Sequence, residues 1–406
     1  MRLVIASDVV GGGGKELAVT RLAVALSERG HEVTLLAGQG DPVEAPSIRF
    51  KRVSALAGAD HSTSTDDLVA AIRHASPDAV LMALDWGQGL RAVRQLVPVL
   101  YWSQVLAPIC PAGSKYWGRS GSACRVDAGA KCLVLRPMLG CTGFAASLSL
   151  QAYRTHRSLS EVLASGEIGV LALSTDMRAR LLSHGLPLTS VAVLPNLGIR
   201  LNSEQLARAA ELTPVGDRGA VVFIGRLVHT KGAQLLPRLA REVGSAQLAV
   251  FGDGYLKERL QPRLGRALRG RIDQESVAGV LLWARGLAFT SLWPEPGGIV
   301  GVDAHLFGVP TAAFALGAPL DWPETRLVPA RDIATMAAWL RARPPIINSR
   351  DPGDVSRAMT RYWDSVGRRA EALVEAFIRH GFWPDEADAG SNAVSDALNH
   401  ALGTAS

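Results

Sequence analysis

The sequence has 406 residues, of which 48% are hydrophobic and 20% charged, and its formal net charge is +6. This length allows two domains with full cores, and the composition excludes a largely disordered chain. No apolar run approaches the ~20 residues of a membrane span, and no aromatic and basic module accompanies the scattered arginines, so we expect neither a transmembrane segment nor a nucleic-acid partner.

The first residues, M-R-L-V-I-A-S-D, contain too short an apolar run for a signal peptide and favour a first strand. We therefore expect a cytoplasmic protein. The excess of positive charge still allows loose contact with an anionic membrane surface, and it equally suits an anionic small-molecule substrate.

The chain opens with a unit that is typical of nucleotide-binding α/β domains. Arg2–Ser7 is predicted as a strand, Asp8–Gly14 as a glycine-rich loop, Glu16–Arg29 as a helix and Glu32–Ala37 as the next strand. The loop is not a Walker P-loop, because its lysine is followed by Glu16 and not by Ser or Thr.

The same alternation of strands and helices continues through the first half. The next predicted helices and strands are, in chain order, Asp66–Ala75, Ala79–Ala83, Gly89–Leu96, Val99–Trp102, Leu148–Leu163, Gly169–Ser174, Asp176–His184 and Val191–Leu194. The polar segment Arg200–Arg218 is the predicted linker to a second domain, in which the alternation starts again.

An insertion between Ser103 and Thr142 contains every cysteine of the chain: Cys110, Cys124, Cys132 and Cys141. Four thiolates are enough to hold a zinc ion, but no pair has the close C-x2-C spacing of a strong zinc motif. Disulfides are not expected in a reducing cytosol. Free thiols are therefore the favoured prediction, and a structural zinc ion is the alternative.

Two cations follow the first strand of the second half. Ala220–Ile224 is predicted as a strand, and it precedes Gly225-Arg226-Leu227 and then Lys231, just before a helix. A guanidinium and an ammonium beside a helix N-terminus suit two adjacent phosphates, although two unrelated surface cations would have the same pattern. A second glycine turn, Gly252-Asp253-Gly254, follows the next strand.

The stretch from Ser291 to Pro310 predicts a strand, a tight loop and a helix N-terminus, a ready site for a diphosphate. Two acids, Glu295 and Asp303, flank this loop. Carboxylates would repel phosphate, so we expect them to accept hydrogen bonds from neutral sugar or ribose hydroxyls. For either acid alone, a helix cap or an exposed loop charge is the alternative.

This stretch resembles the donor-site motif of the family 4 retaining glycosyltransferases, which have the two-domain GT-B fold. That motif has two glutamates separated by seven residues, with Pro, Phe and Gly after the first. Glu295 fits the first glutamate, Asp303 stands at the second, and Gly297 stands where the Phe is usual. The segment F-I-G-R-L…K-G resembles the diphosphate-binding pair of the same family, at Arg226 and Lys231.

The resemblance implies an α/β fold with two Rossmann-like domains facing across a cleft and a last helix, within Arg361–His380, crossing back to the first domain. The acceptor-side domain would span residues 1–199 and be completed by about 361–406, and the donor domain would span 200–360. Contacts with a UDP- or GDP-linked sugar are expected at Gly12, Gly13, Gly225, Arg226, Lys231, Gly252, Asp253, Glu295, Gly297, Gly298, Ile299, Val300 and Asp303.

The resemblance also implies chemistry that retains the anomeric configuration, with Arg226, Lys231 and Glu295 as the catalytic residues. The sequence contains no Asp-x-Asp, so we expect the two cations and backbone N–H groups to neutralise the leaving diphosphate without a metal or another cofactor. Where family members have a His near the donor sugar, this chain has Gln104, which cannot accept a proton. Trp86 and Trp102 are candidates for stacking on the acceptor, with core packing as the alternative.

We therefore expect a nucleotide-sugar-dependent glycosyltransferase. The departures at Gln104 and Gly297 favour a specialised-metabolite acceptor of the antibiotic-pathway kind, with a thiol or another heteroatom as the glycosylated group. The alternatives are a glycosyltransferase of cell-surface polysaccharides or lipid-linked glycans, a non-catalytic homologue that binds sugar nucleotides and, less favoured, a sugar-nucleotide epimerase.

Overall fold

The computed structural model describes residues 1–11, 14–41, 45, 47–58, 63–141, 146–212, 218–342, 344, 346, 349–383 and 392–403, with the side chains of 146–149 excepted. The chain forms two compact units. Unit 1 consists of Met1–Arg119, Cys124–Leu197 and Val366–Ala393, and unit 2 of Ser120–Ala123, Gly198–Ser365 and Val394–Ser406. Each unit is built on a parallel sheet with helices, so the α/β fold class is as predicted.

The sheet of unit 1 has seven parallel strands in the order β3-β2-β1-β4-β5-β8-β9. These strands are β1 Arg2–Val9, β2 Glu32–Gln39, β3 Ile48–Arg52, β4 Ala79–Met82, β5 Val99–Trp102, β8 Gly169–Ala172 and β9 Val191–Val193. Leu3 of β1 lies opposite Val33 on one side and Ala79 on the other. The residues of β4, β5 and β8 are all buried, as expected for strands with helices on both faces.

The helices of unit 1 include α1 Gly14–Glu28, α2 Asp66–Ala75, α3 Gly87–Arg94, α4 Cys132–Leu139, α5 Ala146–Leu163 and α6 Thr175–Ser183. Local signals explain their ends. Two acids in the first turn of α2 and two basic residues in its last turn complement the helix dipole. The hydroxyl of Ser174 caps α6 by accepting a hydrogen bond from the N–H of Met177 at 3.2 Å. A short pair of strands, β6 Tyr116–Trp117 and β7 Ser122–Ala123, lies in the cysteine-bearing insertion.

The sheet of unit 2 has six parallel strands in the order β12-β11-β10-β13-β14-β15. These strands are β10 Val221–Ile224, β11 Leu248–Phe251, β12 Leu268–Gly270, β13 Gly286–Phe289, β14 Thr311–Phe314 and β15 Arg326–Val328. Its helices include α7 Ser203–Leu212, α8 Leu236–Val243, α9 Lys257–Leu264, α10 Gln274–Trp283, α11 Ile299–Leu306 and α12 Ile333–Arg341. None of the described helices is long and apolar enough to cross a membrane.

The prediction of a linker at Arg200–Arg218 is wrong for most of that segment. Ser203–Leu212 forms helix α7, which buries Leu206 and Ala209 and packs against α10 within unit 2. Half of the residues of α7 are Ala or Leu, but only Leu206 and Ala209 are buried, so the core-facing stripe of the helix is narrow and its periodicity is weak in the sequence.

The long helix α13, Pro352–His380, is shared between the units, because its residues from Val366 onward belong to unit 1. The chain therefore returns to unit 1 after building unit 2, while the predicted domain bounds stay a prediction. Unit 2 also takes the last helix, α14 Ala393–Leu402, from Val394 onward.

The returning segment packs tightly on the sheet of unit 1 at Gly169. A Cβ atom at this position would lie 2.8 Å from the ring of Trp383 and 3.0 Å from that of Phe377. The indole N–H of Trp383 donates to the carbonyl of Leu373 at 3.0 Å, which fixes the ring in place. Glycine is therefore required here by space and not by backbone conformation.

We expect Gly169→Ala to reduce the free energy of unfolding by about 1–3 kcal/mol, because the added methyl group overpacks a closed interface. Thermal denaturation followed by circular dichroism measures this loss. Gly129→Ala is the matched control, because no atom lies within 4 Å of a Cβ there. Equal midpoints for the two variants would contradict the tight packing.

Candidate functional site

The strand order of unit 2 reverses between β10 and β13, which are neighbours in the sheet. In open parallel sheets, ligands bind beyond the carboxyl ends of the strands at such a switch point. The loop after β10 carries Arg226 and Lys231, and the loop after β13 carries Glu295. The three residues predicted to be catalytic are therefore placed at this crevice of unit 2.

The two loops are bonded to each other. The N–H of Leu292 donates to the carbonyl of Thr230 at 2.7 Å, and the hydroxyl of Thr290 donates to the carbonyl of Lys231 at 2.9 Å. Gly232 has φ +70°, and a Cβ there would lie 1.9 Å from the carbonyl oxygen of Thr290. Only glycine permits this approach, which fixes the backbone of Lys231 against the second loop.

Lys231 and Glu295 form a short ion pair at this crevice. The ammonium Nζ lies 2.7 Å from Oε1 and 2.6 Å from Oε2 of Glu295. Oε2 also accepts hydrogen bonds from Ser291 Oγ at 2.9 Å and from Trp293 Nε1 at 2.7 Å. The Glu295 side chain is only 6% exposed, and that of Lys231 is 19% exposed. A carboxylate so buried requires a cation and several donors, and this one has both.

Arg226 is in the opposite situation. It is exposed, and within the part of the chain that the structure describes its guanidinium forms no hydrogen bond or ion pair. Its backbone is nevertheless fixed, since the N–H of Leu227 donates to the carbonyl of Asp253 at 2.8 Å in the loop after β11. The positive charge of Arg226 is thus available, whereas that of Lys231 is neutralised by Glu295.

The glycines beside Arg226 form a close contact between the loops after β10 and β11. Gly252 has φ +150°, and a Cβ there would lie 1.9 Å from the carbonyl oxygen of Gly225. Asp253 follows on an exposed turn, where the N–H of Gly254 and the ammonium of Lys257 lower the pKa of its carboxyl. The predicted donor residues of this turn therefore lie next to Arg226.

Helix α11 begins at the same crevice. Gly298 at its N-cap has φ +55°, Gly297 is buried, and Ile299 and Val300 are half-buried in the first turn. No side chain of the described residues caps this end, so backbone N–H groups of the first turn present partial positive charge. The ring of Trp322 lies against the glycines of this helix, because a Cβ at Gly298 would be 2.7 Å from it.

Asp303 has a structural contact that the sequence did not suggest. Its carboxylate is 3% exposed, and Oδ1 accepts a hydrogen bond from the N–H of Ile199 at 2.7 Å. One oxygen of Asp303 is therefore occupied by the backbone, within unit 2. The predicted contact between Asp303 and a donor hydroxyl stays a prediction.

The predicted acceptor-side residues are in unit 1, and two of them need a correction. Trp86 and Trp102 are each 1% exposed, so both rings are packed in the core and neither offers a face for stacking on an acceptor. Both tryptophans therefore follow the alternative given for them above, which is packing in the core. Gln104 is half-buried, and its Nε2 has no hydrogen-bond partner among the described residues. Gly12 and Gly13 lie outside the described residues.

Sequence reasoning missed a polar cluster at the switch point of unit 1, between β1 and β4. Lys15 Nζ lies 2.6 Å from Asp8 Oδ1, and the hydroxyl of Tyr101 donates to Asp85 Oδ1 at 2.5 Å. Burial raises the pKa of Asp85, and the hydrogen bond from Tyr101 opposes that rise. The cluster could have been predicted from the positions of these residues, because polar residues at the carboxyl ends of β1, β4 and β5 converge at the switch point.

The four cysteines line one cavity in unit 1 together with Lys115 and Arg136, and none of them forms a disulfide. Burial raises the pKa of the Cys141 thiol to about 11. Among the described residues, no group of three or more His, Cys, Asp or Glu side chains is arranged to hold a metal ion. The favoured prediction of free thiols and the alternative of a bound zinc ion both remain predictions.

No protein-family model and no curated protein matches the chain. Its structure is similar to that of sucrose-phosphate synthase from Thermosynechococcus elongatus, with a TM-score of 0.65 and 17% identity over 93% of this chain and 100% of that one. It is also similar to Anabaena HepE in complex with UDP, with a TM-score of 0.62 and 13% identity over 93% of this chain and 100% of HepE. A third similar structure is AviGT4, a glycosyltransferase involved in avilamycin A biosynthesis, with a TM-score of 0.58 and 16% identity over 94% of this chain and 100% of AviGT4. At these identities the similarity establishes the fold, which is GT-B.

We expect Asp85→Asn to gain stability relative to the parent as the pH rises above ~4, the usual pKa of an unfolded Asp. Burial raises the folded pKa of Asp85. The folded state of the parent is therefore most stable while this carboxyl is protonated, and it loses stability as the pH rises through the folded pKa. The asparagine keeps a carbonyl that accepts from Tyr101.

Thermal midpoints of the two proteins at pH 4, 5, 6 and 7 measure this difference. When Asp85 is kept, Tyr101→Phe should increase the loss of stability with rising pH, because it removes the hydroxyl that opposes the rise in the pKa of Asp85. If the midpoint of Asp85→Asn minus that of the parent stays constant or falls as the pH rises, the raised pKa of Asp85 is contradicted.

Proposed function

We propose that the protein is a glycosyltransferase that moves a sugar from a UDP- or GDP-linked donor to an acceptor, with retention of configuration and without a metal. The observation that supports this most directly is the crevice of unit 2. An exposed Arg226, the Lys231–Glu295 pair and the uncapped N-terminus of α11 meet there at the switch point of a parallel sheet.

Each part of this crevice suits a part of a sugar nucleotide. The Arg226 guanidinium and the N–H groups of α11 offer positive charge and directed donors to a diphosphate. Among the described residues Glu295 Oε1 accepts one hydrogen bond, from Lys231, so it can also accept one from a neutral sugar hydroxyl. HepE, which has the same fold, was solved in complex with UDP.

In the proposed reaction the bond between the anomeric carbon and the diphosphate oxygen breaks, and a bond from that carbon to the acceptor forms. The acceptor's proton passes to the departing phosphate oxygen on the same face of the sugar. Arg226, Lys231 and the α11 N–H groups stabilise the charge that develops on the diphosphate. We assign no protein base, which is compatible with an amide side chain at Gln104.

We expect Arg226→Ala to weaken the binding of UDP or GDP by ~1.5–3 kcal/mol, the usual value of hydrogen bonds to charged groups. Isothermal titration calorimetry in a buffer with EDTA measures this loss and at the same time tests binding without metal. Arg326→Ala is the matched control, because Arg326 is also exposed but stands at the amino end of β15. An Arg226→Ala variant that binds as tightly as the parent would show that the donor site is assigned wrongly.

We further propose a specialised-metabolite acceptor with a thiol or another heteroatom as its nucleophile. A neutral Gln104 suits an acceptor that ionises easily, because no protein base is then required. We expect measurable transfer to small thiol or aminocyclitol acceptors, detected by mass spectrometry. Efficient transfer only to a growing polysaccharide or a lipid-linked sugar would support the alternative acceptor class, and binding of sugar nucleotides without any transfer would support a non-catalytic homologue.

A further inference from the structure

The buried carboxylate of Glu295 has an asymmetric set of partners. Oε2 accepts from Lys231, Ser291 and Trp293 at 2.6, 2.9 and 2.7 Å, whereas Oε1 accepts only from Lys231, at 2.7 Å, among the described residues. Ser291 is 4% exposed and Trp293 is 7% exposed. Two neutral donors thus hold one oxygen of a carboxylate whose other contacts are with a cation.

The local sequence explains why these side chains meet. Ser291, Trp293 and Glu295 lie in the short loop between β13 and α11, and the chain bends at Trp293, so the side chains of Ser291 and Trp293 both reach Oε2 of Glu295. The backbone N–H of Ala318 also donates to the carbonyl of Glu295 at 2.7 Å, which fixes the end of this segment.

The consequence concerns Lys231. An ammonium has three N–H bonds, and Glu295 lies on one side of this one, with Oε1 2.7 Å and Oε2 2.6 Å from Nζ. The directions of the N–H bonds that do not face Glu295 are therefore set by the orientation of the carboxylate. The terminal torsion of a glutamate has a broad energy minimum, so a carboxylate without further partners would rotate. Ser291 and Trp293 prevent that rotation by holding Oε2.

We propose that Trp293 and Ser291 are positioning residues, which act through Glu295 to direct an N–H of Lys231 that does not face Glu295 at the terminal phosphate of a nucleoside diphosphate. This inference rests on the proposed function. In this proposal Lys231 contributes a directed hydrogen bond to the phosphate, because Glu295 already neutralises its charge. The net positive charge of the crevice comes from Arg226.

The test compares nucleoside diphosphate with monophosphate. Calorimetry is carried out on the full chain with UDP and UMP, and with GDP and GMP, for the parent, Trp293→Phe, Ser291→Ala and Ser291→Thr. We expect Trp293→Phe and Ser291→Ala to raise the Kd of the diphosphate about 5- to 10-fold, the usual effect of losing one hydrogen bond. The Kd of the monophosphate should stay within a factor of about 2. Ser291→Thr keeps a hydroxyl and should restore the affinity of the parent.

Trp283→Phe is the matched control for the indole, because Trp283 also donates its N–H to one oxygen, the carbonyl of Ala210, but stands on helix α10. Thermal midpoints identify any variant that fails to fold. If Trp293→Phe fails to fold, Ser291→Ala and Ser291→Thr still test the positioning role, because they change the side-chain volume least. Equal losses for diphosphate and monophosphate, or no loss for either, would overturn the positioning role and leave the proposed donor site intact. A parent protein that binds none of the four nucleotides would overturn the proposed function, and the positioning role with it.

Discussion

The buried ion pair between Lys231 and Glu295 is the interaction on which the crevice of unit 2 depends. A carboxylate at 6% exposure is costly unless it is paired and hydrogen-bonded, and removing one partner of such a pair leaves an uncompensated charge. The pair exists only because the loops after β10 and β13 are held together at Gly232 and Thr290. The geometry of the charged groups is thus a property of backbone packing, and flexible surface side chains contribute little to it.

A third loop completes this arrangement. Gly317, after β14, has φ +77°, and a Cβ there would lie 2.3 Å from the N atom of Glu295. Three adjacent parallel strands, β10, β13 and β14, therefore direct their following loops to Glu295, the first to its carboxylate and the last to its backbone. Parallel sheets place all their carboxyl ends at one edge, and this explains how residues far apart in sequence reach a single site.

The sequence predicted those parts of the molecule that follow from local pattern. The alternation of apolar strands and helices predicted both sheets. Arg226 and Lys231 were singled out because they follow a predicted strand and resemble the diphosphate-binding pair of a known family, and their role stays a prediction. The burial of Trp86 and Trp102 was not predictable, because a tryptophan at the end of a strand suits a core and a ligand equally well. The bond from Ile199 to Asp303 joins two loops that no local pattern connects. Helix α7 was missed because its apolar face is narrow.

The division of helix α13 between the units has a consequence for synthesis. The first sheet is finished at β9, yet the segment that covers Gly169 comes from Phe377 and Trp383, after the whole of residues 198–365. During translation, unit 2 can complete its sheet while the face of unit 1 at β8 is still exposed to solvent. Closing a loop of that length costs additional chain entropy and delays the final packing step. The nascent chain therefore presents an unfinished hydrophobic surface until residues 377–383 have left the ribosome, and chaperones bind surfaces of this kind.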